Sequence, residues 1–368
     1  MNNNKIRIFG AAAVGAIWLF LVFFAWTKPA DEISEAERRK LAQFPTLSVE
    51  TVLNGEFMTK FEDYTLDQFP VRDGFRQIKS LFHYNVMNQR TNNNIYLEDG
   101  YAAKLEYPLN ETSVNYAVGK FNAIYNQYLK TSGCKVYMAI APDKGYYLAE
   151  PNGYLSMDYE KLFSMVRDGM PWATFVDLTD TLDITDYYFT DTHWRQEKLI
   201  PAAQKLAQAM GGKGPQEADF TATLVERPCY GVYYGQAALP LPSEDLFIME
   251  SSILKGCRVK DHETGKIIPV YNPDDLDKED LYDIFLGGAK SLLTIENPNA
   301  KTSKTLVVFR DSFGSSMVPM LVQDYRSVTV VDTRYINPIM LSSYLRFTNQ
   351  DVLFLYSPLV LNSSSVLQ

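Results

Sequence analysis

Histidine and cysteine are scarce in this chain, with three of each in 368 residues. The histidines are His83, His193 and His262, so few imidazoles are available as a base. The cysteines are Cys134, Cys229 and Cys257, and their spacing matches no metal site. No run of Lys or Arg is long enough to clamp a phosphate backbone, and the formal net charge is −9. Nucleic acid is therefore not an expected partner. Internal repeats and low-complexity tracts are also lacking. The composition, 46% hydrophobic and 13% aromatic, excludes a disordered chain and provides for a substantial core. The length suits two domains or one large one.

One long uncharged run stands out. Lys5 and Arg7 precede 19 residues, Ile8 to Trp26, that carry no charge. At about 1.5 Å per residue this run crosses a bilayer core of roughly 30 Å. Positive charge before the run keeps the N-terminus inside and exports the rest. A cleaved signal peptide is the competing reading. Phe23-Phe24-Ala25-Trp26 is a poor small-residue cleavage site, and Trp18 and Trp26 suit an interface anchor, so an uncleaved single-pass anchor over residues 1–29 is expected. No cysteine follows closely, which argues against a lipoprotein. Without the anchor's three cations, Lys5, Arg7 and Lys28, the exported part carries −12. Export permits disulfides. Cys134 opens a buried strand and reads as a core thiol. Cys229 and Cys257 flank one irregular segment, where a disulfide and two free thiols both remain open; the disulfide is the expectation carried forward.

Residues 30–90 read as a helical stalk. Ser34-Glu35-Ala36-Glu37 matches a capping box. Phe57, Phe61 and Tyr64, then Phe75, Ile78 and Phe82, recur at helical spacing. His83 sits beside that second face and reads as structural. From residue 91 strands and helices alternate. Glu98-Asp99-Gly100 marks a hairpin turn, and Val114 to Tyr128 forms an amphipathic helix. Strands are expected near 136–141, 175–178, 306–309, 328–331 and 352–356. Such alternation predicts an α/β fold, with a mostly parallel sheet covered by helices on both faces in three layers. Residues 212–303 lack helical periodicity and are rich in Gly, Pro and Tyr. They are expected to form a separate β-rich insertion within the 91–368 domain.

Two short stretches carry the chemistry. Asp191-Thr192-His193-Trp194 puts a carboxylate and an imidazole two residues apart. Arg310-Asp311-Ser312-Phe313 follows the apolar run Leu306 to Phe309 and precedes Gly314-Ser315-Ser316. That order reads as strand, tight turn, helix, and it places a hydroxyl at a strand's carboxyl end beside a helix N-terminus. A serine nucleophile needs a base, and the base needs an orienting carboxylate. The expected roles are Ser312 as nucleophile, His193 as base and Asp191 as orienting acid. Either stretch alone is common and usually inert. No third ligand motif accompanies Asp191 and His193, so neither a metal nor another cofactor is expected. Lys144 sits in a polar turn after Val136–Ala141, and either it or Arg310 could hold an anionic sugar. A surface ion pair is the blander reading of Lys144.

These motifs resemble the SGNH-hydrolase-like O-acetyltransferases of the alginate acetylation type, and more closely the bacterial DHHW proteins. Glu35 to Pro45, Asp67 to Asp73, Tyr282 to Gly288 and Val330 to Tyr335 are similar as well. Their order along the chain is more specific than any piece. The resemblance implies an SGNH-like domain in which the Asp–His pair precedes the serine. It also implies a membrane-anchored O-acyltransferase, adding acetyl to an exported polysaccharide from a membrane-bound O-acyltransferase partner. Family members often carry an amide residue after the paired glycines, but here Ala289 follows Gly287-Gly288. Oxyanion donors are then expected from backbone N–H groups, those of Ser312 and Gly288. An acetyl-esterase with the same triad, and a non-catalytic polysaccharide-binding or assembly protein on the same scaffold, are the alternatives.

Overall fold

The structure is a computed structural model that describes residues 3–368. The chain forms two compact units. One is the chain up to Asn93 together with Tyr234–Pro240; the other is Asn94–Tyr233 with Leu241–Gln368.

The first unit opens with a helix, Asn3–Thr27, whose segment Lys5–Thr27 is long and apolar enough to cross a membrane. Three helices follow, Val49–Leu53, Glu56–Asp67 and Arg72–Asn85. Ser48 caps the first by accepting the Thr51 N–H, and Thr51 returns the bond to the Ser48 N–H. Ser34-Glu35-Ala36-Glu37 does not begin a helix. It lies at a small ribbon in which Ile33–Ser34 pairs with Arg39–Lys40.

The second unit is built on an eight-stranded sheet. Numbered along the chain, its strands are β1 (Lys135–Ile140), β2 (Thr174–Val176), β3 (Arg258–Asp261), β4 (Ile267–Ile268), β5 (Leu292–Glu296), β6 (Thr305–Arg310), β7 (Ser327–Val331) and β8 (Asp351–Tyr356). Across the sheet they run β4-β3-β5-β7-β6-β8-β1-β2. The five strands from β7 to β2 are parallel. All five segments expected to share one sheet do so.

The sequence dictates why both faces are covered. Val307 pairs with Val352 and Val308 with Leu353, so neighbouring β-branched and aliphatic residues lie in register. Successive side chains point to opposite faces. Leu306, Val308, Leu353 and Leu355 enter one apolar cluster with helices α3 (Ile200–Ala209) and α4 (Phe313–Leu321). Val307, Phe309, Val352 and Phe354 enter the other, with α1 (Glu111–Ile124) and α2 (Tyr159–Gly169). An apolar strand of this kind is stable only between two layers of helix. The hairpin forms as expected, Ile95–Glu98 against Tyr101–Lys104, and its turn residues Asp99 and Gly100 both have positive φ, 50° and 86°.

Two expectations are corrected. Residues 212–303 do not form a separate lobe. β3, β4 and β5 from this stretch extend the main sheet in antiparallel fashion, and only the ribbon Thr221–Leu224 with Phe247–Glu250 stands apart from it. The reason is an alternating pattern: in β3, Val259 and Asp261 are buried while Arg258 and Lys260 are exposed. Such a strand covers one face only, which an antiparallel sheet edge accepts. The disulfide is absent too: Cys229 and Cys257 are both buried and not joined to each other. They belong to different apolar clusters, and the Cys257 thiol donates to the Ile253 carbonyl.

Phe354 is fully buried, with its ring 4.7 Å from Phe309 and 5.2 Å from Phe121. Phe354→Ala should destabilise the fold by about 3–5 kcal/mol, read from the denaturant midpoint of the purified chain. A change below about 1 kcal/mol would contradict this packing.

Candidate active site

The two chemical stretches meet at the carboxyl end of β6. β6 ends at Arg310, and Ser312 is the N-cap residue of α4. The turn between them is stapled by Asp311. One oxygen of this buried carboxylate accepts the Phe313 N–H at 3.0 Å; the other accepts the Ser357 N–H at 2.7 Å and hydroxyl at 2.6 Å, just past the end of β8. Asp311 therefore positions the turn and is not itself presented to a substrate.

A tight hairpin presents the other half. Tyr187 and Trp194 pair as an isolated antiparallel bridge, and the Tyr188 N–H donates to the His193 carbonyl at 3.1 Å. Within this loop Asp191 Oδ1 accepts the His193 backbone N–H at 3.1 Å, an Asx-type turn. The same oxygen lies 2.6 Å from His193 Nδ1. Separation by a single residue therefore suffices, because one carboxylate oxygen both closes the turn and meets the ring. The other oxygen accepts the Val232 N–H at 3.0 Å. His193 Nε2 then lies 2.8 Å from Ser312 Oγ. With Asp191 accepting at Nδ1, that nitrogen carries the proton and Nε2 accepts from the serine hydroxyl. Asp191 and His193 are buried, while Ser312 keeps partial exposure.

The roles of several supporting residues escape a reading of the motifs. The Tyr282 ring stacks on His193 at 3.8 Å and 5°. Its hydroxyl lies 2.7 Å from Ser316 Oγ. The Trp194 indole N–H reaches Ser316 Oγ at 2.9 Å and the Phe313 carbonyl at 3.1 Å, so it ties the histidine loop to the serine helix. Glu244 clamps the loop from below by accepting from the Phe189 N–H, the Thr190 N–H and the Thr190 hydroxyl. Trp194, Ser316 and Tyr282 lie in stretches that the sequence singles out, whereas Glu244 lies outside every such motif.

Three further candidates are corrected. Lys144 is 2% exposed and donates to the Tyr188 and Phe189 carbonyls at 2.9 and 3.1 Å. It supports the loop from inside and presents no cation to a sugar. Arg310 is 1% exposed, and its guanidinium meets Asp332, the Asp311 carbonyl and the Gly288 carbonyl. It too is internal. The Gly288 N–H donates to the Phe285 carbonyl at 3.3 Å within its own turn, which removes it as an oxyanion donor. Of the expected donors, the Ser312 N–H at the start of α4 is left, where the helix dipole favours negative charge. Among the described residues no cluster of three or more His, Cys, Asp and Glu is arranged to hold a metal ion.

Comparison with known proteins bears on the family resemblance and the fold. Residues 261–331 match the sequence profile of the family described as DHHW protein. The match contains Ser312 and Tyr282 but not Asp191 or His193. A DHHW family protein from Eubacterium siraeum DSM 15702 is 18% identical, with a TM-score of 0.59 over 74% of this chain and 93% of that one. The chain resembles the DHHW proteins. PatB1 of Bacillus cereus, in a structure with a sulfonyl adduct, is 19% identical with a TM-score of 0.60, covering 73% of this chain and 95% of that one. A more distant likeness, 15% identical with a TM-score of 0.44, is to the O-acetyltransferase domain of Pseudomonas putida AlgJ, over 73% of this chain and 92% of that one. No curated protein sequence matches the chain. The shared fold is the mixed α/β, SGNH-like one.

Two expectations follow from the site. A sulfonyl fluoride should modify Ser312, as seen by peptide mass spectrometry, and modification should slow by about 10²-fold or more in His193→Gln. Equal labelling rates would mean that the imidazole does not activate the hydroxyl. The second concerns Lys144, whose ammonium burial pushes down to about 7. Between about pH 7 and 9.5 the unfolded chain keeps this proton while the folded chain has released it. Stability should therefore rise with pH across that window through this group. Lys144→Met should remove that rise, measured as the denaturant midpoint at both ends. An unchanged slope would contradict the burial of the ammonium.

Proposed function

We propose that this chain is a membrane-anchored O-acyltransferase that transfers acetyl to an exported polysaccharide through Ser312, His193 and Asp191. The observation that carries the reading is the continuous line of contacts from Asp191 Oδ1 to His193 Nδ1 at 2.6 Å and from His193 Nε2 to Ser312 Oγ at 2.8 Å.

In this reading His193 Nε2 removes the hydroxyl proton as Ser312 Oγ attacks the acyl carbon of a donor ester. A tetrahedral oxyanion forms beside the N-terminus of α4, where the Ser312 N–H supports it. The intermediate collapses, the bond to the donor oxygen breaks, and the departing alcohol takes the proton from His193. Ser312 then carries the acyl group as an ester. A sugar hydroxyl enters, gives its proton to Nε2 and attacks the same carbon. Collapse restores the Ser312 hydroxyl, which takes back the proton. Asp191 holds the Nδ1–H tautomer and stabilises the transient imidazolium. Stacking against Tyr282 holds the ring plane through both proton transfers. The fold likeness and the sequence resemblance support acetyl as the group, a polysaccharide as acceptor and a membrane-bound acyltransferase as donor. The apolar helix Asn3–Thr27 supports anchoring, with the second unit outside the cytoplasm.

Release of acetate from a chromogenic ester tests the reading. Ser312→Ala should lower the rate by at least about 10³-fold, with the fold intact. Asp191→Asn should lower it severely but less, through the wrong tautomer. Acetyl transfer to an oligosaccharide acceptor should follow the same order. Ester cleavage without transfer to any polysaccharide would favour an esterase. Equal activity of wild type and Ser312→Ala would leave a binding scaffold.

A further inference from the structure

One helix of the first unit, Arg72–Asn85, turns its apolar stripe outward. In the helices Val49–Leu53, Glu56–Asp67 and Arg72–Asn85 the one buried residue is Ser80. The side of Arg72–Asn85 that faces inward carries Ser80, hydrogen-bonded to Asn92, and Arg76, which pairs with Glu37. Its apolar stripe faces out: Phe75 is 47% exposed, Ile78 64% and Phe82 51%, with Val71 and Val86 continuing the stripe at 68% and 66%. A soluble helix at helical spacing 75, 78, 82 would bury this stripe. A contiguous outward apolar surface marks an interaction site.

The chain places this helix beside the membrane span. The span ends at Thr27, and four residues on, Asp31 is doubly bonded to Gln68: its N–H donates to Gln68 Oε1 at 2.8 Å, and its carbonyl accepts Gln68 Nε2 at 2.8 Å. Gln68 in turn lies four residues before the start of Arg72–Asn85. At no more than about 3.6 Å per residue, each of these two four-residue links reaches at most roughly 14 Å. The two links, joined by the Asp31–Gln68 pair, tie the helix start to the end of the span. Arg72 to Glu37 and Arg39 to Asp67 pairs hold the same corner.

We propose that the Phe75–Ile78–Phe82 face of this helix lies on the lipid surface, embedded about 5–10 Å into the boundary between headgroups and acyl chains. The inference rests on the anchor reading of Asn3–Thr27. Lipid fits better than a soluble partner because the stripe is apolar along its length and is tethered at the surface it would bind, at high effective concentration. The consequence is that the first unit is a platform held down at two places, the span and the helix.

The test uses the full chain in phosphatidylcholine–phosphatidylglycerol vesicles. Ile78→Cys and Gln77→Cys each receive an environment-sensitive fluorophore, and the unmutated chain treated with the same reagent corrects for label on Cys134. The Ile78 probe should be blue-shifted and quenched by lipids carrying a quencher near the headgroup boundary, while the Gln77 probe should stay closer to its emission in water. An Ile78 probe with water-like emission would overturn the proposal. So would a blue-shifted probe that lipid quenchers do not reach, since protein would then cover the face. A chain that fails to float with the vesicles overturns anchor and docking together. Ester cleavage by the same labelled chains is measured alongside, so the acyl-transfer reading stands or falls separately.

Discussion

A carboxylate two residues from the imidazole it serves has almost no conformational freedom, and that constraint organises the site. Asp191 Oδ1 accepts both the backbone N–H and the ring Nδ1–H of His193, so the turn and the tautomer are settled by one atom. Buried carboxylates are stable only when hydrogen-bonded, and the remaining oxygen is satisfied by the Val232 N–H. Everything else keeps this hairpin in place: Lys144 on its carbonyls, Glu244 on its amides, and Trp194 reaching across to α4. Lys144 and Glu244 both bond the loop's backbone, which fits a preorganised site rather than one assembled on binding.

The sheet supplies the other half of the arrangement. Parallel strands buried on both faces bring their carboxyl ends to one edge, and the loops there are free to vary. β6 delivers Ser312 to this edge, and Asp311 locks its turn to the end of β8 through Ser357. The ion pairs of Asp332 with Arg310 and Arg334 sit just past β7 and stiffen the same edge from inside. Charged residues at strand ends here hold the scaffold, not a ligand.

Much of this was legible because the chain offers few histidines and because Leu306–Ser312 spells strand, turn and nucleophile in order. The five parallel strands were legible for a similar reason, as continuous apolar runs. What was hidden depends on distant partners. Nothing local in Tyr282 says that it will stack on a histidine 89 positions earlier in the chain. Lys144 reads as a surface ion pair or a ligand-binding cation, and Arg310 as the latter, since a sequence does not reveal burial; both are almost fully enclosed. Residues 212–303 suggest a separate lobe because they lack helical periodicity and are rich in Gly, Pro and Tyr, features that an antiparallel sheet edge shares with an isolated β-structure. Cys229 and Cys257 looked pairable because their spacing says nothing of the separate clusters that hold them.

The account rests on Ser312 carrying the acyl group between donor and acceptor. The most direct measurement is mass spectrometry of the chain quenched shortly after mixing with an activated acetyl ester. The account predicts one acetyl group, located on the peptide that contains Ser312, and its loss in time when a sugar acceptor or water is allowed to react. Acetylation confined to surface lysines, or no adduct while ester is consumed, would contradict it.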